Sequence, residues 1–279
     1  MVISKKSKVI KYGLTYGILG VSLIFTLFPF YWMVKSSLTI NKEMYLPRPQ
    51  LIPTTITFDH YISLFKETQF MQNMYNSFYI ATITTIVCLM ISILGSYALT
   101  RLRFPLKKFL GQSIIVSYLL PTAVLFIPMY VAVSALGFND NKNGLLIIYP
   151  TFVVPYCCYM LNSYFQAVPY SLEEAAMIDG CNRFMSMVKV VLPIAAPGIA
   201  VVATFAFTMC WNEYLYALIM TTSPLQQTVT VGISSFKFSD HAIWGLIMSA
   251  SVIASLPVVI LYVLAQSWLI SGHADGGVK

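Results

Sequence analysis

A chain of 279 residues, 58% hydrophobic and only 10% charged, with a mean hydropathy of +0.75, is too apolar to fold as a water-soluble globule. Its net charge of +7 does not point to nucleic acid, because the basic residues sit in short clusters beside apolar runs and never line one continuous polar face. The five cysteines, Cys88, Cys157, Cys158, Cys181 and Cys210, lack the spacing of a zinc site or a secreted disulfide framework and read as buried free thiols.

In chain order, Lys5, Lys6, Lys8 and Lys11 precede an apolar run that reaches Val34 without a small-residue cleavage pattern, so it reads as a retained first helix. In hydrocarbon the backbone must satisfy itself, and none of the apolar runs alternates as a barrel strand does. The expectation is an all-α integral membrane protein of six transmembrane helices: Gly13–Val34, Asn76–Leu99, Phe109–Leu136, Leu145–Phe165, Ile194–Met220 and Ala242–Ile270. Pro29, Pro121, Pro128, Pro150, Pro155, Pro197 and Pro257 fall within these spans and predict kinks, since each removes a backbone donor. With the N-terminus in the cytoplasm, the loops 101–108 and 166–193 and the C-terminal tail share its side. They carry most of the 17 Lys and Arg residues, as the positive-inside rule requires, which puts both termini inside. His60 and His241 then fall in outer loops and read as solvated. The first outer loop, Lys35 to Tyr75, is long enough to touch an extracytoplasmic protein, or is ordinary surface.

The loop 166–193 holds the most specific chemistry. Ser171 and Glu174 have the spacing of a capping box, which predicts a helix starting at Leu172, and Gly180 can end it in a left-handed turn. Leu172, Ala175, Ala176 and Asp179 would share a face. From Asn182 to Val191 an amphipathic pattern gathers Phe184, Met187, Val188 and Val191, and Leu192-Pro193 closes it before the fifth span.

Glu174-Ala175-Ala176, three residues, Gly180, nine residues, then Val190-Val191-Leu192-Pro193 resembles the EAA loop of permease subunits in binding-protein-dependent ATP-binding-cassette importers. Trp211-Asn-Glu-Tyr-Leu-Tyr-Ala217 and the tail from Gln266 are similar to the carbohydrate-uptake branch, the maltose-type and multiple-sugar permeases, although Ser271, His273, Ala274 and Asp275 depart from its pattern. The resemblance implies one transmembrane permease domain over 1–279 in the bacterial inner membrane, with a cytoplasmic coupling helix seated in a cleft of a separate ATPase subunit. ATPase coupling then falls to Glu174, Ala175, Ala176, Gly180, Leu192 and Pro193, with Glu173 and Asp179 as flanking acids that meet basic groups. It also implies partners: a dimer of ATPase subunits that bind the ATP and magnesium, a second permease subunit that is commonly a different chain, and an extracytoplasmic sugar-binding protein. This chain would itself hold no cofactor and catalyse nothing. No G-x-x-x-x-G-K-[ST] phosphate loop occurs in it.

Glu213 lies within the expected fifth span, where a carboxylate must face water, the bundle interior or a partner. Asn212, Glu213, Tyr214 and Tyr216 are therefore candidates for the translocation path or its outer gate, and an inter-subunit polar contact is the rival reading of Glu213. Two other classes stay open on the residues alone. A secondary transporter would need paired intramembrane charges, of which Glu213 is the one candidate, and an intramembrane enzyme would need a constellation such as H-E-x-x-H, which is absent. Within the importer class the cargo is a sugar or another polar solute such as glycerol-phosphate.

Overall fold

The computed structural model describes residues 5–48, 50–238 and 241–274. The helices in chain order are α1 (Lys5–Ser37), α2 (Asn41–Met44), α3 (Asp59–Glu67), α4 (Phe70–Arg101), α5 (Lys107–Leu119), α6 (Phe126–Ala135), α7 (Leu145–Ile148), α8 (Pro150–Ala167), α9 (Tyr170–Ile178), α10 (Arg183–Ser186), α11 (Leu192–Asn212), α12 (Leu215–Met220), α13 (Val229–Ser234) and α14 (Trp244–Ala274). A two-residue antiparallel pair, β1 (Lys237–Phe238) with β2 (His241–Ala242), precedes α14. The chain divides into two compact units, Met1–Thr68 with Ile233–Ser255 and Gln69–Gly232 with Leu256–Lys279.

In the first unit, α1 is a 33-residue apolar helix whose described side chains are solvent-facing or half-buried until Lys35, Ser36 and Ser37. The segment after it, the first outer loop, carries structure of its own. Thr39 bridges Ile56, the Thr57 amide donates to the Leu38 carbonyl at 3.0 Å, and α2 and α3 fold around that crossing. His60, expected to be solvated, is buried on α3, and its Nε2 lies 2.9 Å from the Thr39 carbonyl. Gly245 permits this packing: a Cβ there would come within 2.3 Å of the imidazole.

The second unit is built on α4, α8 and α11. Along α4, Asn73, Asn76, Ser77, Ala81, Thr84, Cys88, Ser92 and Ser96 are buried at intervals of three and four, a stripe of small and polar residues that lets helices approach closely. Ser92 and Ser96 donate to the Val154 and Cys158 carbonyls of α8 at 3.3 and 3.1 Å. Gly198 performs the same service between α11 and α8, because a Cβ there would lie 2.4 Å from the Tyr164 ring. At the other end of α4, the Asn73 and Asn76 amides and the Ser77 hydroxyl hold the segment 224–229 through its carbonyls and the Val229 amide. Cys88, Cys157, Cys158 and Cys210 are buried free thiols, and Cys181 is half-buried.

The all-helical membrane architecture is as expected, but the six kinked spans are interrupted more sharply than kinks alone predict. Among the described residues, four helical stretches are long and apolar enough to cross a membrane, Tyr12–Ser37, Phe70–Arg101, Arg183–Trp211 and Trp244–Trp268; a fifth is the pair Lys142–Ile148 and Pro150–Ala167, bent by 40°. The expected third span, Phe109–Leu136, is broken into α5 and α6. Leu120 and Pro121 are extended, and a 3-10 turn spans Thr122–Val124. Proline disfavours helix in the residue before it, which places the break at Leu120. The expected fifth span also ends early, at Asn212, because Glu213 is extended (φ −66°, ψ 132°) and α12 begins only at Leu215.

Candidate functional site

The helix expected in loop 166–193 is α9, but it starts two residues earlier than the capping box predicts. Pro169, extended at φ −61° and ψ 132°, is its N-cap and supplies no side-chain bond. Ser171 therefore lies inside the first turn, and the Ser171–Glu174 box does not form. The C-terminus follows expectation. Gly180 adopts φ +93°, the Cys181 amide donates to the Ala176 carbonyl at 3.0 Å, and the Gly180 amide to the Met177 carbonyl at 3.2 Å. These two bonds make a Schellman ending, which glycine adopts without the Cβ clash of other residues.

The faces of α9 divide its two adjacent glutamates. Glu174 is exposed together with Leu172, Ala175, Asp179 and Gly180, and Ile178 is 86% exposed, whereas Ala176 and Met177 are half-buried. Glu173 is 2% exposed. Its carboxylate pairs with the Arg101 guanidinium through Nε and accepts from the Tyr97 hydroxyl at 3.0 Å. The other edge of that guanidinium donates to the Phe165 and Val168 carbonyls at 2.9 and 2.7 Å, closing the C-terminus of α8 with a cation. Tyr97 also reaches the Arg183 carbonyl at 3.3 Å, and the Ser186 hydroxyl reaches the Glu173 carbonyl at 3.5 Å. One buried carboxylate thus joins α9 to the ends of α4 and α8 and to the start of α10. The basic group that Glu173 meets belongs to its own chain. Beneath it, Tyr97, Phe165, Val168, Met187, Val191 and Ala195 form an apolar cluster against which Leu192 packs.

The segment 182–193 also differs from expectation. Asn182 accepts from the Met185 amide at 2.8 Å and starts α10; the next turn, Met187–Val191, is a π-turn that runs straight into α11 without a stop at Leu192-Pro193. A proline ring clashes with the carbonyl four residues earlier in a regular helix, and the wider turn relieves that clash at Pro193. Of the predicted amphipathic face, Met187 and Val191 enter the core, while Phe184 and Val188 face outward.

At the far end of α11, Glu213 does not sit inside a helix. Its carboxylate accepts from the Tyr216 and Ala217 amides at 2.9 and 3.1 Å, capping α12, and from the Tyr149 hydroxyl at 2.9 Å. Tyr216 is buried and donates to the Thr122 carbonyl at 2.8 Å; Asn212 and Tyr214 are exposed. Asp140 lies in the connection after α6, and Ser223 hydrogen bonds from both hydroxyl and amide hold its carboxyl below its ordinary value of 3.8. Among the described residues no His, Cys, Asp and Glu cluster could hold a metal ion. Arg101, Tyr97 and Tyr149 are the site residues that sequence reasoning missed. Arg101 read only as a topology charge, and the signal available was its place as the last residue of a membrane helix, next to a loop with two adjacent acids.

Residues 91–272 match the family described as "Binding-protein-dependent transport system inner membrane component". The inner membrane ABC transporter permease protein YcjP of Escherichia coli is 36% identical over 263 residues, covering 94% of each chain. The sulfoquinovosyl glycerol transport system permease protein SmoH of Agrobacterium fabrum is 33% identical over 260 residues, 93% of this chain and 91% of that one. The trehalose transport system permease protein SugB of Mycobacterium tuberculosis is 31% identical over 257 residues, 91% of this chain and 93% of that one. Among solved structures, a bacterial ABC transporter involved in the import of the acidic polysaccharide alginate contains a chain that superposes with a TM-score of 0.80 at 21% identity, over 96% of this chain and 99% of that one.

Proposed function

Since this chain belongs to the binding-protein-dependent transport system inner membrane components, and so is a non-catalytic, multi-pass inner-membrane permease subunit of an ATP-binding-cassette importer, we propose that its cargo is a carbohydrate and that α9 is its coupling helix. Relatives named for trehalose and sulfoquinovosyl glycerol support a sugar over another polar solute. Both termini and loop 166–193 lie in the cytoplasm on this reading. The ATP and magnesium are held by a dimer of separate ATPase subunits, and a second permease subunit completes the pore.

The observation that supports the coupling role is the division of labour between neighbouring glutamates. Glu173 is buried and fixes the helix to α4 and α8, which leaves Glu174, Leu172, Ala175 and Ile178 presented outward on a segment that cannot swivel freely. A rigidly held projection transmits displacement, and a loosely tethered one absorbs it. Ala176, Asp179 and Gly180 shape the end of that projection, and Leu192 and Pro193 connect it to α11. At the outer side, Asn212 and Tyr214 face outward at the break where Glu213 caps α12, and we assign this break to the outer gate, with Glu213 and Tyr216 positioning it.

In vesicles holding the complete complex, a Glu174→Cys chain should crosslink to the ATPase subunit, and sugar uptake should require binding protein and ATP. Uptake driven by an ion gradient alone, or absence of that crosslink, overturns the reading.

A further inference from the structure

The connection between α4 and α5 gathers positive charge that the fold does not neutralise. A cavity of about 700 Å³ opens there, with Arg101, Arg103, Lys107 and Arg183 in its wall and no acid among its lining residues. Arg101 is already committed, because its guanidinium pairs with the buried Glu173. Arg103 and Arg183 are exposed and Lys107 is half-buried, and among the described residues none of the three has a carboxylate partner. The Lys107 ammonium donates one of its three protons to the Leu102 carbonyl at 2.9 Å and keeps two for a ligand. Cations that share a cavity repel one another, and an anion seated among them relieves that repulsion.

The apolar part of the same wall selects the kind of anion. Leu102 and Phe104 line the cavity beside the cations, and Leu106 and Phe109, both largely exposed, follow at the start of α5. Arg101 is the last residue of a helix long enough to cross a membrane. Basic groups beside exposed apolar side chains at such a point match the boundary where lipid headgroups meet acyl chains. A free phosphate ion would satisfy the cations and leave Leu102 and Phe104 uncovered, and so would an acidic side chain of a partner protein.

We propose that this cavity binds the headgroup of an anionic phospholipid from the cytoplasmic leaflet. The phosphodiester sits between Arg103, Arg183 and Lys107, where a guanidinium can offer two parallel N–H donors, and the acyl chains run over Phe104 and Leu106. Lys107 and Arg183 are the first residues of α5 and α10, so a seated lipid ties these two elements together beside α9. The proposal rests on the importer reading for the side of the membrane on which the cavity opens.

The test uses the complete complex in a neutral detergent, incubated with equal amounts of phosphatidylglycerol and phosphatidylcholine, with the lipid retained on this subunit counted by native mass spectrometry. The wild type should retain phosphatidylglycerol about ten-fold over phosphatidylcholine, and excess inorganic phosphate should not displace it. The Arg103→Gln, Arg183→Gln double variant should bring retention near parity. A charge-matched Lys108→Gln, Lys189→Gln variant, whose residues lie outside the cavity wall, should keep the preference. Equal retention of the two lipids by the wild type overturns the proposal without recourse to any variant. Displacement by phosphate marks a free-anion site and also overturns it, and an equal loss in both variants marks diffuse surface charge and does the same. If the arginine variant sheds the ATPase subunits while its lipid preference persists, the cations serve a protein partner and the proposal fails. Binding-protein-stimulated ATP hydrolysis by the same preparation reports on the importer reading separately: its presence with any negative lipid result leaves that reading intact.

Discussion

Replacing Arg101 by glutamine would leave the Glu173 carboxylate buried without a countercharge and strip two carbonyls at the end of α8 of their donor. Breaking one side of a buried pair costs about 3–5 kcal/mol, more than the pair is worth against an apolar replacement of both partners. The melting temperature of Arg101→Gln in detergent should therefore fall well below that of the Arg101→Gln, Glu173→Gln double variant, and equal melting would show that the carboxylate is solvated. Tyr97→Phe removes one hydrogen bond to a charged acceptor and should cost about 2 kcal/mol by the same measurement. Asp140 gives a pH-dependent counterpart. Its folded pKa is lowered, so its tie to Ser223 contributes above the ordinary carboxyl range and is lost as pH falls through the lowered value. Melting curves of the wild type and Asp140→Asn should differ at neutral pH and converge in acid. None of these partnerships was legible in the sequence, because Tyr97 and Glu173 stand 76 positions apart and hydropathy says nothing about which loop charge turns inward.

For single elements, local chemistry was legible where it is local in the chain. Gly180 was expected to end a helix, and it does so at positive φ. Gly180→Ala should lower stability by about 1–2 kcal/mol, and Gly180→Asn by less, since asparagine tolerates the left-handed region. Equal melting of the two variants would mean that the turn rearranges. The start of the same helix misled, because Ser171 and Glu174 carry a valid capping pattern that Pro169 pre-empts two residues upstream. The long spans misled for a different reason. Apolar runs pass without interruption through Leu120 and Pro121 and through Glu213, and hydropathy measures solubility in lipid without registering the dihedral angles that divide α5 from α6 and α11 from α12. Pro121 was a visible mark of the first break. At the second break the visible mark was Glu213 itself, but its charge did not show that the carboxylate would cap the next helix through the Tyr216 and Ala217 amides.

Across the whole molecule, the composition was sufficient to identify a membrane protein, and the EAA spacing its class, because both are properties of the chain read end to end. What the assembled structure adds is an outward apolar surface on α9. Ile178 is 86% exposed and Leu172 is 44% exposed. Ile178→Glu should leave the melting temperature of the isolated subunit unchanged while reducing its co-purification with the ATPase subunits several-fold. A drop in melting temperature, or undiminished co-purification, would count against α9 as the docking element.

The inward turn of Glu173 limits what a protein engineer can do with loop 166–193. The segment looks like a detachable plug that could be exchanged between importers to rewire which motor drives which pore. Transplanted alone, however, it would deliver an acid whose guanidinium and phenol remain behind in the donor's Arg101 and Tyr97. Chimeras that move the loop together with the last two turns of α4, which carry both Tyr97 and Arg101, should work where bare loop exchanges fail, and the true interchangeable part is discontinuous in the gene.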